Sequence, residues 1–250
     1  MITWLRSALF SIVYIPSTIL YGSFTQLVRW WMPPALLHRW VITWCSINVA
    51  WLRISVGARY VVIGREHLAQ ITGPVVILSK HQSTWETLFL QPMFFPAITV
   101  LKRELLNIPF FGWGLNGLRP IAIDRSNARD ALKKIKTTGL MQLKAGNNLL
   151  LFPEGTRTNY GTQGKYARSG ADIAIEAGVS VIPVALNSGK CWPTKQLRKY
   201  PGLISVVIGA PIPTEGRSSK ELTEQVEAWI EGELSRIAAE EAAHTPISLQ

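Results

Sequence analysis

A chain of 250 residues is long enough for one globular domain with an attachment segment, and it can bury a core without staples. Its formal charge of +10 favours an anionic partner, and a 48% hydrophobic content with ten Trp directs that preference to lipid. No nucleic-acid recognition motif is present, so no nucleic acid is expected as a partner. Two cysteines, Cys45 and Cys191, make no disulfide framework, match no metal spacing and suit a reduced compartment.

The charge is unevenly spread. Residues 1–60 hold five Arg and no Asp or Glu, while residues 215–250 hold eight of the sixteen acids. The first element is an uncharged run from Ser7 to Val28, 22 residues long and bracketed by Arg6 and Arg29. As a helix it measures about 33 Å, enough for a hydrocarbon core. Trp4, Trp30 and Trp31 stand at its ends, where interfacial aromatics belong, and Pro16 is where a kink is expected. A signal peptide is the rival reading. The run is long for one, and no small-residue cleavage site follows, so a retained anchor is preferred.

Pro33-Pro34 breaks the chain before a second apolar stretch, Ala35 to Ile54. Trp40, Trp44, Ile47 and Trp51 recur at helical spacing. Arg39, Thr43, Ser46, Ala50 and Arg53 form a second stripe about 100° away. This pattern suits a helix lying in the membrane interface; the alternative is a core helix of the globular domain. Residues 1–56 are therefore expected to anchor the chain, as two spans, one span with an interfacial helix, or a shallow hairpin. Residues 57–250 form the second unit.

Beyond Gly57, β-rich runs (Tyr60–Ile63, Val75–Ser79, Ile98–Leu101, Pro120–Ile123, Leu149–Phe152, Val181–Ala185, Ile204–Ile208) alternate with helical patterns at Thr84–Gln91, Ala128–Lys144, Gly170–Ala177 and Ser219–Ala243. The alternation predicts an α/β domain with a mixed or parallel sheet flanked by helices. In the last helix Leu222, Val226, Trp229, Leu234 and Ile237 mark one face, and Glu dominates elsewhere.

Of four histidines only His81 follows directly on an apolar strand, in VVILSKHQSTWE. A residue just past a strand's C-terminal end commonly faces a site in α/β folds. Glu86 lies five positions on. On one continuous helix the two would be about 140° apart, so they meet only if His81 is in the loop and Glu86 in the first helical turn. A carboxylate on one imidazole nitrogen fixes the tautomer and leaves the other nitrogen to take a proton. The bland reading is that residues 83–86 are a capping box in which Glu86 merely closes the helix.

Three further motifs follow. The first is KRELLNIPFFGWGLNGLRPIAIDR, Lys102 to Arg125, with a turn at Pro109 and an aromatic-glycine stretch. Phe110 and Phe111 read equally well as core. The second is LLLFPEGTR, Leu149 to Arg157, where Gly155 permits a tight turn and Arg157 can clamp a phosphate bidentately. The third, Val181–Ala185, reads as core. Lys102, Arg125 and Arg157 all follow strands or turns, as His81 does, so one rim of the sheet can gather a base and several cations.

In order and spacing these segments resemble the four blocks of the glycerolipid acyltransferases, most closely the bacterial 1-acyl-sn-glycerol-3-phosphate acyltransferases, over roughly residues 75–185. The resemblance implies a glycerol-3-phosphate acyltransferase-like fold. It also implies His81 as general base with Glu86 as its orienting partner, where the family more often has Asp. It further implies phosphate recognition by Lys102, Arg125, Glu154, Gly155 and Arg157, with Arg103 and Lys165 as weaker candidates. The reaction it implies moves an acyl group from coenzyme A or acyl carrier protein to the sn-2 hydroxyl of lysophosphatidate. The thioester is a co-substrate, and no metal or other cofactor is called for. From the Arg-rich flanks, the catalytic domain is expected on the cytoplasmic side of the inner membrane. Another lysolipid is the alternative acceptor. A serine hydrolase is disfavoured because G-x-S-x-G is absent, and a P-loop is absent too. A basic membrane-bound scaffold without activity is the non-enzymatic alternative, and activity surviving loss of the His81 imidazole would revive it.

Overall fold

A computed structural model describes residues 1–244, so residues 245–250 of the expected second unit lie outside the described residues. The chain runs α1 (Ile2–Val28), α2 (Pro34–Ser55), β1 (Ala58–Ile63), β2 (Val76–Ser79), α3 (Trp85–Met93), β3 (Ala97–Lys102), α4 (Phe111–Asn116), β4 (Ile121–Ile123), α5 (Ala128–Lys144), β5 (Asn148–Leu151), α6 (Ser169–Ala177), β6 (Val181–Leu186), β7 (Gly202–Ile208) and α7 (Ser219–His244). The seven strands form one sheet in the order β1-β7-β6-β2-β5-β3-β4. Neighbours from β6 to β4 are parallel. β7 runs antiparallel to β6, and β1 parallel to β7. The mixed sheet expected from the alternation is present. β2 lies at its centre with all four residues buried, as a strand covered on both faces must be.

Two apolar clusters cover the two faces. One joins Ile77, Leu150 and Ile182 of the sheet to α1, α2 and α3. The other joins Leu78, Leu149 and Val181 to α5, α6 and α7. α7 contributes Leu222, Val226 and Ile237 to the core as its periodicity predicts, and Ile230 as well. β6 is buried throughout, consistent with reading Val181–Ala185 as core.

α1 and α2 are not a separate tether. Phe10, Trp44, Val49 and Leu52 belong to the same cluster as Ile77 and Leu150, on both sides of the boundary at 56. The buried face of α2 is Leu37, His38, Val41, Cys45, Asn48 and Leu52 together with Trp44. It is rotated from the tryptophan stripe, leaving Ile47 exposed. α2 is therefore a core helix along one face and exposed along the other. α1 is held near its start by Ser7, whose Oγ accepts the Lys199 N–H at 2.8 Å. Trp51 donates from Nε1 to the Phe10 carbonyl at 3.2 Å, and Trp44 donates to Ser17 Oγ at 3.1 Å. Farther along, α1 passes so near α4 that a Cβ on Gly22 would lie 2.0 Å from the Phe110 carbonyl oxygen. The opposite face of α1 leaves Leu5, Leu9, Ile12, Ile15 and Ile19 exposed, followed by Trp30 and Trp31.

Candidate active site

The C-terminal ends of β2, β3, β4 and β5 deliver the loops at one edge of the sheet, where open α/β sheets bind ligands. His81 lies two residues past β2 and Glu86 in the first turn of α3, the one arrangement that lets residues five apart meet. Their contact is Nδ1 to Oε1 at 2.9 Å. Oε1 also accepts the backbone N–H groups of Gln82 at 2.7 Å and Ser83 at 2.6 Å. Oε2 accepts the hydroxyls of Ser83 at 2.7 Å and Ser188 at 2.6 Å. Burial by itself pushes the Glu86 pKa up. Its hydrogen bond and charge interaction with His81, then the bonds from Ser188 and Ser83, outweigh that and hold it below the ordinary carboxylate value. The catalytic and capping readings of Glu86 are therefore compatible, since one carboxylate closes the helix and grips the imidazole.

An ionised carboxylate only accepts, so Nδ1 carries a proton and the neutral ring presents an unprotonated Nε2. The loop after β5 mounts the same residue on three sides. Phe152 stacks on the imidazole with ring centroids 3.9 Å apart and planes 18° from parallel. Glu154 Oε2 accepts the His81 N–H at 3.0 Å. The Thr158 N–H donates to the His81 carbonyl at 2.8 Å. The His81 side chain retains only 12% exposure.

A cavity of about 420 Å³ lies beside His81. Lys102, Arg125, Gly155 and Arg157 line it, and so do Phe110 and Phe111. The rest of its wall is mainly apolar, with Leu88, Val100, Leu115 and Ile135 among its members. Gly155 adopts φ +68, and a Cβ there would meet no atom within 4 Å, so glycine is required by the backbone turn rather than by space. Arg157 Nε is buried without a hydrogen-bond partner. A buried guanidinium donor left unsatisfied is costly, and an oxyanion in the cavity would satisfy it. Lys102 lies 3.2 Å from Glu104, half exposed, and can exchange that carboxylate for a ligand.

Two expectations differ from the structure. Glu154, grouped with the phosphate-binding residues, is not on the cavity wall. Its side chain is fully buried, ion-paired to Lys80 at 2.7 Å, and its oxygens also accept the N–H groups of His81 and Gly164. An anion buried in that way repels a phosphate and serves the loop instead. Arg103 turns outward to Asp124 at 2.7 Å, and neither it nor Lys165 lines the cavity. Sequence reasoning missed Lys80, Phe152, Thr158 and Ser188. The signal available for Lys80 was a lysine ending a buried apolar strand directly before the histidine.

A histidine gripped by a buried carboxylate at the loop edge of an α/β sheet, beside a cavity mainly apolar in its wall but carrying Lys102, Arg125 and Arg157, suits an enzyme for amphiphilic substrates. The chain belongs to the acyltransferase family, whose sequence pattern matches residues 59–187. It is 43% identical over 238 residues to the 1-acyl-sn-glycerol-3-phosphate acyltransferase of Pseudomonas aeruginosa, covering 94% of this chain and 92% of that protein. With 1-acyl-sn-glycerol-3-phosphate acyltransferase alpha of Mus musculus it shares 30% identity over 163 residues, 64% of this chain and 57% of the mouse protein. The crystal structure of the 1-acyl-sn-glycerophosphate (LPA) acyltransferase from Thermotoga maritima has the same fold, with a TM-score of 0.79 over 95% of this chain and 96% of that one, at 22% identity.

Proposed function

We propose that this chain transfers a fatty acyl group from an acyl thioester to the sn-2 hydroxyl of 1-acylglycerol 3-phosphate, giving phosphatidate for phospholipid synthesis. The observation that carries the reading is the His81–Glu86 contact at 2.9 Å beside a cavity whose largely apolar wall also carries Lys102, Arg125 and Arg157. Arg157, Arg125 and Lys102 hold the acceptor's phosphate, and the apolar wall receives acyl chain. His81 Nε2 takes the hydroxyl proton as the oxygen attacks the thioester carbonyl. The tetrahedral intermediate then collapses, its C–S bond breaks, and the departing sulfur receives the proton from His81. Glu86 stabilises the imidazolium that forms between these steps. The donor is coenzyme A or acyl carrier protein thioester, and the reading assigns no step to any other cofactor.

The reaction takes place at a bilayer surface, with the catalytic domain on the cytoplasmic side of the inner membrane. α1 is long and apolar enough to cross a membrane by length and composition. Its packing supports a different placement. The contacts of α1 with the domain at Ser7 and Gly22 favour a helix lying along the membrane with its bare face in lipid.

The test is turnover of lysophosphatidate with labelled acyl-CoA and acyl-carrier-protein donors, beside lysophosphatidylethanolamine as acceptor. Phosphatidate from the wild type, a loss of roughly 10²- to 10⁴-fold in kcat for His81→Ala, and poor use of the ethanolamine lipid are expected. Full activity of His81→Ala would end the mechanism, and preference for the ethanolamine lipid would end the acceptor assignment.

A further inference from the structure

The C-terminal helix α7 lies beyond the segment that matches the family pattern, yet a chain of ion pairs and a hydrogen bond joins it to His81. Lys80 has a fully buried side chain. Its ammonium lies 2.7 Å from Glu154 Oε1 and 2.8 Å from Glu231 Oε1, and donates to the Thr162 carbonyl at 3.1 Å. Glu231 stands on α7 and also accepts the Tyr166 hydroxyl at 2.9 Å. The other oxygen of Glu154 accepts the His81 N–H at 3.0 Å. Contacts therefore run unbroken from α7, through one ammonium shared by two carboxylates, to the main chain of His81. Charges removed from water are stable only when each is met by its partners, so such a cluster tolerates one arrangement and resists displacement.

We propose that Lys80, Glu154 and Glu231 are positioning residues for His81, and that α7 is through them a working part of the active site. The proposal rests on the reading of His81 as the base. Glu154 sets where the His81 main chain sits, and Thr158 holds it from the carbonyl side. Lys80 fixes Glu154, and Glu231 fixes Lys80 from the far side. Loosening this train shifts the imidazole relative to the hydroxyl it serves. Displacement on the ångström scale costs rate, while the phosphate and acyl subsites, built from other residues, keep their affinity.

Glu231→Gln is the primary variant, because the Glu231 side chain is 22% exposed and the change is nearly isosteric. Its kcat should fall about tenfold to a hundredfold with the unfolding midpoint near that of the wild type. The KM values for lysophosphatidate and acyl-CoA should stay within about twofold. Glu231→Asp, which keeps the charge, should recover part of the rate. A second readout needs no substrate: the Nδ1 proton resonance of His81, assigned by its loss in His81→Ala, should shift or broaden in Glu231→Gln. Lys80→Met alone strands a buried carboxylate and threatens folding, so it is paired with Glu154→Gln. The double variant should fold with a similarly low kcat. An unchanged kcat and an unchanged resonance in Glu231→Gln would overturn the proposal. So would a raised KM for lysophosphatidate at full kcat, which would place the cluster in substrate binding. If the wild type turns over no lysophosphatidate, the acceptor reading fails, and the resonance still decides whether α7 positions His81.

Discussion

At the scale of single residues, Glu86 shows why the site works as a unit. Its two oxygens face five donors: the imidazole Nδ1, two backbone N–H groups and two hydroxyls. Its folded pKa lies below the ordinary 4.5, so its ionised form contributes stability that is complete above that value and is lost as pH falls through the folded pKa. Glu86→Gln should therefore lower the unfolding midpoint most near neutral pH, and the gap to the wild type should close as the pH drops below 4.5. The same variant should lose roughly a thousandfold or more in kcat, because the imidazole no longer has its proton fixed on Nδ1. Arg157 makes the opposite case. Because its Nε makes no hydrogen bond within the protein, Arg157→Lys should cost little stability but raise the KM for lysophosphatidate about tenfold, as a point charge replaces a planar fork. His81, Lys102, Arg125 and Arg157 could be picked from the sequence because each ends or follows a strand or a turn. Glu154 could not be separated from its neighbours, since the direction of its side chain is set by the buried Lys80 across the loop.

At the scale of elements, the strands and long helices were legible because hydrophobic period and breakers agree: α5 spans Ala128–Lys144 as its pattern predicts. α4 was not. Two of its six residues are glycine, and it follows Phe110, whose φ is +62. Intrinsic propensity gives such a segment no helix. It forms because it docks on α1, where Gly22 and Gly114 allow the two backbones to approach. Gly22→Ala should disrupt that contact, since the added Cβ would meet rigid backbone at 2.0 Å. A destabilisation of about 1–3 kcal/mol in detergent is expected, with a drop in activity because Phe110 and Phe111 line the cavity.

At the scale of the whole molecule, composition marks α1 as the apolar segment but says nothing of its orientation. Apolar length alone cannot distinguish a helix that crosses from one that lies flat. The proposed flat placement rests on packing, in which one face of α1 meets the domain while Leu5, Ile12 and Ile19 stay exposed. Fluorophores at Leu5, Ile12 and Ile19 should report nearly equal depths against bilayer quenchers, because all three lie on the bare face. A depth that changes steadily from Leu5 to Ile19 would instead establish a span.

The shared core of α1 and the sheet also limits how the protein can be handled. Removing α1 to obtain a soluble form would take Phe10 and its ring contacts with Tyr14 and Trp192 out of the interior and uncover Trp44. The product would be a damaged core rather than a trimmed enzyme. A water-soluble variant has to be made by repainting, with polar side chains at Leu5, Ile12 and Ile19, while the helix stays in place as a structural wall of the chamber it helps to enclose.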